Sequence, residues 1–120
     1  MAATITKIVR YKAKKRKLPK LRTALAEFVE NIKENEPGTT LYEVFQEKND
    51  PTVFVHLMAF KDKQAEKAHA KNTYVQKWIK TLHSICKEDP EFSDLKLVKS
   101  IKDSENQSTQ TDDNTQEAQQ

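Results

Sequence analysis

The eight residues Val53–Phe60, VFVHLMAF, constrain this chain more than any other segment, because both of their alternating faces are apolar. Val53, Val55, Leu57 and Ala59 fall on one face, while Phe54, Met58 and Phe60 fall on the other beside His56. That periodicity is a strand's, and an antiparallel strand ordinarily leaves one face to water. A chain of 120 residues holds one domain at the usual size of about 100–150 residues, so its helices can cover only one side of a sheet. Something else must cover the other side, and a second copy of the chain is the economical candidate. A homodimer is therefore expected.

The remaining elements follow from period and punctuation. Residues 4–13 set Ile5, Val9, Tyr11 and Ala13 on one face at period two, with Lys7 as the exception, which predicts a first strand. After the basic turn, Pro19 suits a first helical turn, and Leu21, Leu25, Phe28, Val29 and Ile32 then recur at helical spacing until Pro37-Gly38 stops the helix. Residues 40–47 and 52–60 read as a hairpin across Lys48-Asn49-Asp50-Pro51. Asp62 can cap a short helix through Ala70, and Thr73 with Gln76 has the spacing of a capping box that restarts it, so a break near Asn72 is expected. Val75, Trp78, Ile79, Leu82 and Ile85 continue at helical spacing, and Asp89-Pro90 ends the run. A last strand is expected over residues 95–101, with Leu95, Leu97 and Ile101 inward. The order βαββαβ predicts an α+β, ferredoxin-like domain with a split second helix over residues 1–102. Residues 103–120 hold no aromatic and only Ala118 as an apolar residue, so a disordered acidic tail is expected there.

Charge and composition remove several function classes. Residues 1–22 carry nine Lys/Arg and no acid, and without residues 103–120 the chain has 21 basic against 13 acidic residues, a net charge of +8. Attraction to anions follows, without specificity. Gly38 is the only glycine, which excludes glycine-rich phosphate loops, dinucleotide fingerprints and a Gly-x-Ser-x-Gly elbow. Cys86 is the only cysteine, so no internal disulfide forms and a reducing, cytoplasmic setting is expected. Val53–Phe60, the longest apolar run, is too short to span a bilayer, and the order of the first residues is not that of a secretory signal. His83 and Cys86 share a helix face but lack further ligands, so no metal site is expected. The basic run of residues 12–17 and the βαββαβ order invite an RNA-binding reading. TVFVHLMAF, however, has neither the glycine nor the basic residues of an RNA-recognition strand, and no specific nucleic-acid partner is expected.

Among residues able to carry chemistry, His69 comes first. It shares a helix face with Ala65, Ala68 and Asn72, whose small side chains leave room against the sheet, and an imidazole there can accept a proton. The alternative is a helix-end histidine bonded to a backbone carbonyl. His56, on the strand face with Phe54, Met58 and Phe60, either lines the same space or is a satisfied core group. Tyr42 either offers its hydroxyl to a ligand or is buried with a backbone partner. Phe60 and Trp78 are aromatic walls for a flat molecule or ordinary core.

A strand ending in the aromatic Phe60, followed nine residues later by His69 on a short helix and preceded by Glu36-Pro37-Gly38 and LYEVFQE, resembles the antibiotic-biosynthesis monooxygenase family over residues 4–101. The resemblance implies a dimeric α/β barrel and a small aromatic or quinol-type substrate held between sheet and helices. It further implies oxygenation without metal, flavin or other cofactor, with His69 as base and Tyr42, Phe54, His56, Met58, Phe60 and Trp78 around the substrate. Many members carry Trp and an acidic residue where this chain has Phe60-Lys61, which removes an indole donor. A haem-degrading branch uses an Asn on the first strand and a His on the second helical segment. TITKIVRYKA and Gln76-Lys77-Trp78-Ile79-Lys80 hold neither, so that activity is not expected. The rival reading is a non-catalytic dimeric module binding a small molecule or a protein.

Overall fold

The structure, a computed structural model, describes residues 4–102. Strand β1 (Ile5–Lys12) leads through a 3-10 turn at Lys15–Lys17 into helix α1 (Leu18–Asn35), with Pro19 in its first turn. Strands β2 (Thr39–Gln46) and β3 (Val53–Phe60) form the hairpin, followed by helices α2 (Lys63–Lys71) and α3 (Thr73–Ile85) and strand β4 (Glu91–Leu95). All pairings are antiparallel and the strand order is β2-β3-β1-β4, the ferredoxin-like arrangement that the element order predicts.

Register decides which side chains meet the helices. Tyr11 lies opposite Phe54, Val9 opposite His56 and Lys7 opposite Met58, while Tyr42 and Val44 pair with Met58 and His56 from the other side. These residues share the face covered by α1 and α3, where Leu21, Phe28, Ile32, Trp78, Leu82 and Ile85 complete the core. Trp78 stacks on Phe28 at 4.9 Å between centroids, so truncation to Ala would remove the join between the two helices, at about 3–5 kcal/mol. The opposite face, carrying Ile8, Leu41, Phe45, Val55, Leu57 and Leu95, has no element over it among the described residues. Phe45 is 50% and Leu95 43% exposed there.

The last strand departs from the sequence expectation. It occupies Glu91–Leu95 rather than residues 95–101, and Leu97 and Ile101 are exposed, not inward. Hydrophobic periodicity selected the more apolar window, LKLV, but the free edge of β1 pairs with the more polar residues that directly follow Pro90. Proline is tolerated at such an edge-strand start because it removes no inner ladder bond.

The helix break falls at Asn72 as expected, and the Asp62 side chain caps α2 by accepting the Ala65 N–H. The Thr73–Gln76 capping box does not form. Asn72 is the N-cap of α3, its carbonyl accepts the N–H groups of Val75 and Gln76, and its side-chain amide turns to Glu36 instead. No described helix is long and apolar enough to cross a membrane. The tail expected at residues 103–120 lies outside the described residues.

Candidate active site

A cavity of about 590 Å3 opens between the sheet and the split helix, within the usual size of small-molecule sites. Its floor is Val9, Tyr42, Met58 and Phe60 from β1, β2 and β3, and its walls include Phe28 of α1, His69 of α2 and Val75, Trp78 and Leu82 of α3. Asn72, with extended backbone, separates α2 from α3, and residues of both helices line this space. Gly38 lets α2 come close: a Cβ there would stand 2.7 Å from the Cβ of Ala65.

His69 Nδ1 lies 2.7 Å from Glu36 Oε1, and both side chains are largely buried. The Glu36 carboxylate also accepts from the hydroxyls of Thr39 and Tyr74 and from the Asn72 amide. Burial by itself disfavours its charge, but the hydrogen bonds from Thr39, Tyr74 and His69 outweigh that and hold it below the ordinary carboxylate range. An ionised Glu36 can only accept, so Nδ1 carries the proton it donates. Nε2 is left with no hydrogen bond among the described residues, on a ring that lines the cavity and lies 5.1 Å from Phe60 between centroids. Glu36 and Tyr74 were not legible as site residues in the sequence. A Glu just before Pro-Gly reads as a helix end, and its pairing with His69 spans 33 residues.

Of the residues expected around a substrate, Tyr42, Met58, Phe60 and Trp78 line the cavity together with His69. Phe54 and His56 do not. Phe54 packs deeper in the core, stacked on Tyr11 at 5.7 Å between centroids. His56 is fully buried, with Nε2 2.8 Å from the Tyr11 hydroxyl and Nδ1 2.8 Å from the Tyr42 hydroxyl. Burial pushes the His56 pKa down to about 4 and raises those of both tyrosines above their ordinary value. The Tyr42 partner is thus this imidazole and not a backbone carbonyl. Ala68, placed on the His69 face by helical spacing, is exposed, while Ala65 and Asn72 are half-buried.

At the mouth, Lys7 interrupts the apolar period of β1 for a structural reason. Its ammonium bridges Glu66 of α2 at 2.7 Å and Asp94 of β4 at 2.8 Å. The Cys86 thiol is buried and its pKa pushed up to about 11 by burial, which makes it a poor nucleophile. No group of three or more His, Cys, Asp or Glu side chains with metal-binding geometry occurs among the described residues.

A candidate antibiotic biosynthesis monooxygenase from Nitrosomonas europaea is 23% identical with a TM-score of 0.72, over 79% of this chain and 90% of that one. A second from Caulobacter crescentus is 19% identical with a TM-score of 0.75, over 82% and 92%. A conserved protein from Methanosarcina mazei is 18% identical with a TM-score of 0.71, over 77% and 90%. At these identities the likeness is one of fold. No curated protein matches the chain. The family model for antibiotic biosynthesis monooxygenase matches residues 4–81, which include the strands that floor the cavity and the Glu36–His69 pair. The chain belongs to the antibiotic biosynthesis monooxygenase family.

Proposed function

We propose that the protein is a cofactor-independent monooxygenase acting on a small phenol or quinol. The observation that carries this reading is a histidine in the wall of an apolar cavity, tied through Nδ1 to a buried carboxylate, with Nε2 unpartnered. A base needs a bare nitrogen facing its substrate and a partner that stabilises the cation it becomes. Nε2 of His69 takes the phenolic proton, and Glu36 steadies the resulting imidazolium. The phenolate passes one electron to O2, the phenoxyl radical and superoxide recombine in a carbon–oxygen bond, the imidazolium returns its proton to the resulting peroxide, and loss of water from that hydroperoxide leaves the quinone. Met58, Phe60 and Trp78 keep competing water out and give a flat ring apolar faces to lie on.

The working unit in this reading is a homodimer. Val55 and Leu57 at the centre of the uncovered sheet face, flanked by Ile8, Leu41, Phe45 and Leu95, make a patch whose burial is worth about 25 cal/mol per Å2.

Oxygen consumption with a panel of phenols and quinols, run on the wild type and on His69→Asn, tests the reaction. The asparagine amide replaces Nδ1 as donor to Glu36 but supplies no base. Uptake by the wild type alone is expected. No uptake with any member of the panel, or equal uptake by the variant, would defeat the proposal.

A further inference from the structure

Behind the cavity floor lies a hydrogen-bonded row that the chemistry above does not use: the Tyr11 hydroxyl, the His56 ring and the Tyr42 hydroxyl, joined by two contacts of 2.8 Å. We propose that Tyr11 and His56 are positioning residues that fix the polarity of this row, so that Tyr42 meets a bound aromatic ligand as a hydrogen-bond donor to its oxygen, a phenolate or a quinone carbonyl. The inference rests on the reading of the cavity as an aromatic-ligand site and adds the group that recognises the ligand's oxygen.

A neutral imidazole has one N–H and one bare nitrogen, and each tyrosine has one O–H. His56 is fully buried and its pKa lies near 4, so the neutral ring is the form present at ordinary pH. Two arrangements satisfy the geometry. With the proton on Nε2, His56 donates to Tyr11 and accepts from Tyr42, and the Tyr11 O–H is left without an acceptor. Tyr11 is 2% exposed and its hydroxyl has no other partner among the described residues, so this arrangement strands a buried donor.

With the proton on Nδ1, Tyr11 donates to Nε2 and Nδ1 donates to the Tyr42 oxygen. The one proton then left over is that of Tyr42, whose side chain lines the cavity, where water or a ligand can accept it. Only this second arrangement leaves nothing orphaned in the core. The Tyr42 oxygen, occupied from behind by Nδ1–H, becomes a better donor in front, since hydrogen bonds in a row polarise one another. The sheet register holds the row in place: His56 on β3 is paired with Val44 on β2 and Val9 on β1, each two residues from one of the tyrosines.

Two measurements on the intact protein test this. Nitrogen-15 spectra of histidine-labelled wild type should show His56 with a protonated Nδ1 and a bare Nε2; the opposite tautomer would overturn the inference. Binding is read with tetramethyl-1,4-benzoquinone, through quenching of Trp78, the only tryptophan, and with the parent hydrocarbon tetramethylbenzene as competitor. Tyr42→Phe should weaken quinone binding by about tenfold, the worth of one hydrogen bond, while the hydrocarbon's affinity changes by less than about twofold.

The infrared carbonyl stretch of the quinone should fall on binding to the wild type. It should return toward the free value in Tyr42→Phe and part of the way in Tyr11→Phe. A stretch that does not move in the wild type, or a quinone bound no more tightly than the hydrocarbon, would overturn the donor role even if both variants failed to fold. Neither signal depends on turnover. A protein that shows both and consumes no oxygen would refute the monooxygenase reading and leave this inference standing.

Discussion

His69 Nδ1 and Glu36 Oε1 are 2.7 Å apart, although 33 residues separate them in the chain. The contact joins the end of α1 to α2 across the wall of the cavity, so the placement of the His69 ring depends on a single carboxylate. Thr39, Asn72 and Tyr74 hold that carboxylate from three further sides.

Helical spacing alone would make His69→Ala nearly harmless to folding, at no more than about 1 kcal/mol. The Glu36 contact changes that expectation. Losing one hydrogen bond to a buried charged group costs about 1.5–3 kcal/mol, so His69→Ala should melt several degrees below the wild type. His69→Asn should recover most of the difference. In oxygen uptake both variants should fall by about 10²–10⁴-fold, the usual loss for a missing general base. Equal melting temperatures for the wild type and His69→Ala would show that the contact carries no stability.

Glu36→Gln tests the partner. The amide keeps the size of the side chain but can no longer accept at both oxygens, and it withdraws the negative charge opposite an imidazolium. Turnover should fall by about tenfold or more, from loss of a stabilising charge worth at least about 1.4 kcal/mol. The check is kcat on a phenol that the wild type oxidises, and an unchanged kcat would remove Glu36 from the mechanism.

His56 makes stability depend on pH. Its folded pKa is about 4 and its unfolded value about 6.5, so between these limits the unfolded chain takes up a proton that the native ring refuses. The contribution is full above pH about 6.5 and is lost as pH falls toward 4, amounting to about 3 kcal/mol across the window. Glu36, whose pKa is also held down, adds a further loss only at lower pH, as its carboxylate is protonated. Urea unfolding at pH 7 and pH 4.5 should show His56→Gln losing less stability than the wild type over that interval. Parallel losses in the two proteins would refute the assignment.

Gly38→Ala should push α2 off the sheet, because the new methyl group would meet the Ala65 Cβ at 2.7 Å. Overpacking of this kind costs about 1–3 kcal/mol. Combining it with Ala65→Gly should recover part of the loss despite the helix penalty of about 1 kcal/mol for glycine, giving a positive coupling in a double-mutant cycle. Strict additivity would mean that the two residues do not press on each other.

The dimer reading predicts that a charge at the centre of the open sheet face separates the subunits. Leu57→Lys places one there without touching the helix-covered core, since Leu57 points away from it in the sheet register. Sedimentation at micromolar concentration should show the wild type as a dimer and the variant as a folded monomer. A monomeric wild type would remove the proposal.

Local pattern by itself determined most of the scaffold. The period-two run Val53–Phe60 is β3, and the helix breaks at Asn72 as the capping residues around it suggested, although the Thr73–Gln76 box itself does not form. Apolar spacing marks the buried face of each element because neighbours three, four or two residues apart are fixed by helix and strand geometry. The same reasoning misplaced the last strand, since which residues pair with β1 is decided by the free edge of that strand and not by the hydropathy of the segment that reaches it. It also named His69, Tyr42, Met58, Phe60 and Trp78, which line the cavity, and Phe54 and His56, which do not, but could not find Glu36, Tyr74 or Tyr11. Their partners lie 33 to 45 residues away, and a lone Glu or Tyr carries no local sign of the side chain it will meet. Only the stacking of α1 and the split helix on one sheet decides that His56 is sealed between two tyrosines while His69 faces a cavity. Tertiary packing sets which polar groups are cut off from water, and a buried polar group must take whatever partner that packing supplies.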